Sequence, residues 1–132
     1  MIDIPNIKIA VDFDGTIVEH RYPEIGQLRR GAKEVMNELK SCHHTIIIWT
    51  CRYLKKDLVA MRDFLLSNGI PFDWINCNAP GLSFHPEPKI YADVYIDDRA
   101  LGFPGDWFRI RGELLKYGVL NADGNYIKSK GE

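Results

Sequence analysis

The chain has 132 residues, of which 45% are hydrophobic, 27% charged and 11% aromatic, with a net charge of −1. This balance excludes intrinsic disorder, which needs low hydrophobicity with high net charge, and it supplies enough apolar material for one core. It gives no field of the kind that draws a protein to nucleic acid, and no apolar run approaches the ~20 residues of a membrane span.

Residues 1–8 lack the basic region and apolar stretch of a signal peptide. Residues 7–13 (IKIAVDF) form a short, β-branched, nearly continuous apolar run ending in Asp14-Gly15-Thr16, which reads as a buried strand of a parallel sheet followed by a turn. Residues 32–39 follow a glycine and carry Val35, Met36 and Leu39 at helical spacing. A second buried strand is expected at 45–49 (TIIIW), then a helix at 54–66 with Leu54, Leu58, Met61 and Leu65 on one face. Asn68-Gly69 stops it, and 72–75 reads as a third, short strand. Three prolines and a glycine make 78–88 a loop. Residues 92–96 (ADVYI) form a fourth strand ending at Asp97-Asp98. A helix over 107–117 has Asp106 as its N-cap, and 121–125 (NADGN) reads as a turn between short strands.

Strands alternating with helices predict a single α/β domain over 1–132, three-layered and Rossmann-like, with a mostly parallel central sheet and right-handed crossovers. Cys42, Cys51 and Cys77 are odd in number and widely spaced, which fits free thiols in a reducing cytoplasm rather than zinc or a disulfide.

The informative feature is where the acids fall. Asp12, Asp14, Thr50, Asp97 and Asp98 all lie at or just past the ends of predicted strands, and open parallel sheets bind ligands outside the carboxyl ends of their strands. Acids that only terminate strands account for one of these and less well for four at separate ends. Two carboxylates about 5 Å apart repel by roughly 3 kcal/mol at an effective dielectric near 20. Such a cluster calls for a compensating cation or for raised pKa values, and all-oxygen ligands at that density suit Mg²⁺. An EF-hand reading fails, since Gly15 falls fourth from Asp12 rather than sixth, and no GxxxxGK[ST] or GxGxxG loop is present.

Asp12-Phe13-Asp14-Gly15-Thr16 resembles the DxDGT first motif of the haloacid dehalogenase-like phosphohydrolases. Thr50 resembles the second motif, Lys89 the third and Asp97-Asp98 the fourth, in order along most of the chain. The resemblance implies that Asp12 attacks phosphorus to give an aspartyl-phosphate and that Asp14 is the general acid and base. It implies that Thr50 and Lys89 hold the phosphoryl oxygens, with Gly15, Thr16 and Arg52 against the phosphate. It also implies Mg²⁺ held by Asp12, the backbone carbonyl of Asp14, Asp97 and Asp98. Arg52 has a second reading, a salt bridge to the nearby acids, and so does Arg99.

Family members close their sites with caps inserted after the first motif or between the second and third. Residues 17–31 leave room only for a small flap, and 52–88 are filled by one helix, one strand and a loop. The resemblance therefore implies a capless enzyme acting on a phosphorylated substrate, a small molecule or an accessible macromolecular phosphate, with any lid supplied by a neighbouring subunit. Nucleic acid is not indicated. A catalytically silent phosphate- or metal-binding module of the same fold is the alternative. A phospho-receiver fits less well, because here the paired acids that include the nucleophile come first and the second pair last.

Overall fold

The β-branched run near the N-terminus becomes β1 (Lys8–Val11), an interior strand of the sheet. The computed structural model describes residues 6–85 and 89–121. The turn expected at 121–125 lies outside them apart from Asn121. After β1 come α1 (Ala32–Ser41), β2 (Thr45–Ile48), α2 (Lys55–Ser67), β3 (Trp74–Ile75), β4 (Val94–Ile96) and α3 (Trp107–Lys116). Every element expected before residue 120 is present at its place. β3 and β4 are shorter than their apolar runs, although Asp73 N–H still reaches Ile46 O and Asp93 N–H reaches Lys8 O.

The four strands are all parallel, in the order β3-β2-β1-β4. Side chains alternate between the two faces. Ile9, Val11, Ile46 and Ile48 point to one face, where they meet Val35, Met36 and Leu39 of α1, Met61 and Leu65 of α2, and Trp107, Ile110 and Leu114 of α3. Ala10 and Ile47 point to the other, where Ile90 and Ala92 cover them. The three layers are thus helices, sheet and an irregular segment. The α1 and α2 crossovers share one face, and the described parts of the β3-to-β4 connection, which contain no helix, cover the other.

His44 ties the layers at the end of the sheet away from the acids. His44 is fully buried; its Nδ1 accepts from Ile7 N–H at 3.2 Å and its Nε2–H donates to Val119 O at 3.0 Å. Burial lowers its pKa below the ordinary histidine value. Asp106 caps α3 as expected, accepting from Phe108 N–H at 2.8 Å.

Residues 17–29 form the small flap. Val18 bridges antiparallel to Leu28, Glu19 N–H donates to Gln27 O and Arg29 N–H to Ile17 O. Among the described residues no cap follows, and no helix is long and apolar enough to cross a membrane.

Candidate functional site

Because the strands are parallel, their carboxyl ends share one edge of the sheet. β1 lies between β2 and β4, so the residues after it meet those after both neighbours. A cleft of about 490 Å³ opens there, lined by Asp12, Asp14, Thr50, Arg52, Asp97 and Asp98, together with His20, Tyr22, Cys51, Tyr53 and Arg99. Six of the residues singled out in the sequence therefore converge from three strand ends.

Asp12, Asp97 and Asp98 each offer an oxygen, and those atoms all lie within 4.8 Å of one another. Thr16 fixes the arrangement. Its buried hydroxyl donates to Asp12 Oδ2 at 2.9 Å, lies 3.2 Å from Asp98 Oδ1 and accepts from Asp98 N–H at 2.9 Å. One hydroxyl proton serves only one carboxylate at a time, so Thr16 cannot donate to Asp12 and Asp98 together. Burial, the hydrogen bond with Asp98 and the nearby charges of Asp97 and Asp98 push the Asp12 pKa up to about 8. Asp97 Oδ1 also accepts from Arg99 N–H at 2.8 Å, which holds the loop after β4.

The turn after β1 brings the acids this close. Gly15 has φ +90, and a Cβ there would collide with the Asp98 carboxylate. Only glycine combines that backbone conformation with that approach. Gly15 O accepts from Arg29 Nε at 3.0 Å, and Thr16 O accepts from Trp107 Nε1 at 2.8 Å, so flap and α3 both brace the turn. This corrects one expectation. Gly15 and Thr16 are buried outside the cleft lining, and they organise the acids instead of facing a phosphate.

Asp14, one residue on from Phe13, turns away from this cluster. Its two oxygens accept from Arg52 Nε and the Arg52 terminal nitrogen Nη2, each at 2.7 Å. Arg52 is 2% exposed. Its remaining N–H groups donate to Glu24 O at 3.2 Å and to Pro23 O and Asp57 O at 3.4 Å. The guanidinium carbon lies 5.4 Å from the Phe13 ring centroid and 5.0 Å from that of Tyr22. All five donors of the guanidinium are used inside the protein. Arg52 as a phosphate ligand is therefore corrected to the brace reading. The Asp14 carboxylate is likewise not among the three clustered acids, which leaves its backbone carbonyl as the group available to a cation.

Thr50 is nearly buried at the cleft, with its Oγ1 accepting from Arg52 N–H at 3.1 Å. Its backbone is clamped by Asn76, whose Oδ1 accepts from Thr50 N–H and whose Nδ2 donates to Thr50 O, both at 2.8 Å. Asn76 escaped the sequence reading. Its signal was position, since it directly follows the short third strand, and it holds φ 53, a conformation asparagine tolerates better than most residues. Lys89 does not join the cleft lining. It is exposed, with Nζ 5.3 Å from the Tyr95 ring centroid on the loop-covered face.

No protein-family model and no curated protein matches the chain. Among solved structures it is similar to one described as that of the conserved protein coded by a locus from Bacteroides thetaiotaomicron. The two are 37% identical, the match covers 86% of this chain and 93% of that one, and the TM-score is 0.75.

Proposed function

We infer, for a chain that belongs to one family with that conserved Bacteroides thetaiotaomicron protein, a Mg²⁺-dependent phosphohydrolase of the haloacid dehalogenase-like kind acting through Asp12. The observation that carries this reading is the close group Asp12, Asp97 and Asp98, with no ion-pair partner among the described residues, at the carboxyl edge of a parallel sheet.

The donor set fits a hard divalent cation: three carboxylates within reach of one another, with Asp12 held well above the carboxylate range until positive charge arrives. Asp12, Asp97 and Asp98 would hold Mg²⁺ together with the Asp14 carbonyl. When bound, the ion offsets the negative charge of these acids and of a phosphoryl group. The chain supplies the rest. Asp12 forms a bond to phosphorus as the bond to the leaving oxygen breaks, and Asp14 delivers the proton that oxygen takes. Water then attacks the aspartyl-phosphate, giving its proton to Asp14 and freeing Asp12. Thr50, fixed by Asn76, is the hydroxyl at hand for a phosphoryl oxygen. Lys89 would have to leave its position over Tyr95 to share that task.

The test is phosphate release from a panel of aryl, sugar and nucleoside phosphates with Mg²⁺, run on the native chain and on Asp12→Asn. Turnover that needs both Mg²⁺ and Asp12 is expected. A melting temperature raised by Mg²⁺ with no turnover across the panel would overturn it in favour of a silent metal-binding module. Turnover that survives Asp12→Asn would also overturn it.

A further inference from the structure

Arg52 is more elaborately held than a brace for one acid requires. Its forked contact with Asp14 is only part of its bonding. The other guanidinium donors reach Pro23 O and Glu24 O at the tip of the flap and Asp57 O in the first turn of α2. Tyr22, beside them, lays its ring against the guanidinium and donates its hydroxyl to Asp57 Oδ2 at 3.0 Å. Asp57 is itself 7% exposed. One side chain thus joins four segments: the turn after β1, the flap, the loop after β2 and the start of α2. A planar guanidinium can satisfy them together only when all four are in place.

We propose that Arg52 is the positioning residue for Asp14, and that it makes the seating of the flap and the placement of the acid/base carboxylate a single event. When the flap tip lies over Arg52, the guanidinium is fixed on all sides and Asp14 is oriented beside the cleft. When the tip lifts, Arg52 loses two of its five hydrogen bonds, those to Pro23 O and Glu24 O, together with the Tyr22 ring, and Asp14 loses its fixed geometry. A substrate that seats the flap then completes the acid/base in the same motion. This inference rests on the phosphohydrolase reading and adds to it a means by which an uncapped site commits to chemistry.

The experiment measures kcat/KM over a series of aryl phosphates whose leaving phenols differ in acidity. The proteins are the native chain, Arg52→Lys, Asp14→Asn and the double variant, each with a melting temperature as a check on folding. Arg52→Lys keeps the charge and loses the fork. The expected result is a loss of roughly 10-fold or more for the least acidic phenols, shrinking to about 2-fold for the most acidic, because a badly placed acid matters most to a poor leaving group. KM should stay within about 2-fold, and adding Arg52→Lys to Asp14→Asn should cost no more than about 2-fold further, since residues acting as a unit are not additive. A uniform loss across the phenols would overturn the proposal. So would a further full loss in the double variant, or a KM that rises while kcat holds, which is the signature of a phosphate ligand. If the native chain itself turns over none of the series, the phosphohydrolase reading fails and not this one alone. The flap limb is read from Tyr22→Phe, which keeps the ring on Arg52 and removes the hydroxyl bond to Asp57. It should steepen the dependence on the leaving phenol in the same direction, and an unchanged dependence would sever the flap from the acid.

Discussion

Asp12 and Asp14 are separated by one residue and live in opposite electrostatic surroundings. Asp14 has a partner of opposite charge on both oxygens and a side chain that is 12% exposed, against an arginine whose side chain is 1% exposed. Asp12 has two further acids near it and one threonine hydroxyl. The protein has placed its cation where Asp14 is and left Asp12 without one. The difference teaches that the two carboxylates of one short motif do separate work. The chain itself supplies a cation to one; for the other, the proposed reading has the cation come from outside. Removing either should therefore have different consequences for stability and for chemistry.

The largest effect is expected at Asp12. Asp12→Asn should lower turnover on the order of 10⁴-fold, as loss of a nucleophile does, while raising the melting temperature of the metal-free protein by a few degrees, about what relief of 1 kcal/mol gives a domain of this size. A fall in the melting temperature would break the contrast with Asp14. Removing Arg52 is the reverse case. Arg52→Met strands the Asp14 carboxylate and three backbone carbonyls, and should cost about 3–5 kcal/mol in urea unfolding, the range for half of a buried pair. A cost under about 1 kcal/mol would mean that this pair behaves as an ordinary surface salt bridge.

Mg²⁺ itself should stabilise the native chain by about 2.7 kcal/mol at a hundred times its dissociation constant. That gain should vanish in Asp97→Asn with Asp98→Asn and persist in Asp14→Asn. The pH dependence sharpens the same point. The Asp12 pKa is raised from 3.8 to about 8, so the folded state binds the proton more tightly than the unfolded chain. The associated stability is present below about pH 3.8 and is lost as pH rises through about 8. In the metal-free protein, the stability of Asp12→Asn relative to native should therefore grow across that window, and Mg²⁺ should flatten the curve. The smallest effect is at the opposite end of the sheet. The His44 pKa is lowered, so its contribution is present above the unfolded value of 6.5 and is lost as pH falls below it. His44→Gln should remove that acid-side slope at a cost of about 1 kcal/mol for the imperfectly replaced hydrogen bonds. It should leave the Asp12 window untouched.

The strands and helices were legible because each is a short apolar run with its own period and its own stop. The acids were legible because each one ends such a run. What the sequence could not carry is direction. Arg52 follows Thr50 closely enough to reach either a phosphate or Asp14, and only the convergence of Pro23, Glu24 and Asp57 carbonyls around it decides the matter. Thr16 becomes the bracket between Asp12 and Asp98 only because β4 lies beside β1, a pairing that no local pattern encodes. Asn76 gains its grip on Thr50 the same way, from the parallel pairing of β2 and β3. The helices gather on one face because both α1 and α2 follow right-handed crossovers in the same direction along the sheet. Alternation of strands and helices alone leaves that arrangement open.

On the proposed reading, the difference between the two acids comes down to which of them takes the phosphoryl group. The most direct measurement is to quench the native chain in acid during Mg²⁺-supported turnover of a reactive phosphate ester, then map any added phosphoryl mass by peptide mass spectrometry. The expected result is a phosphoryl group on Asp12, absent in Asp12→Asn and longer-lived in Asp14→Asn, where no base activates the water. Sustained hydrolysis with no adduct on Asp12, or an adduct on Asp14 instead, would contradict it.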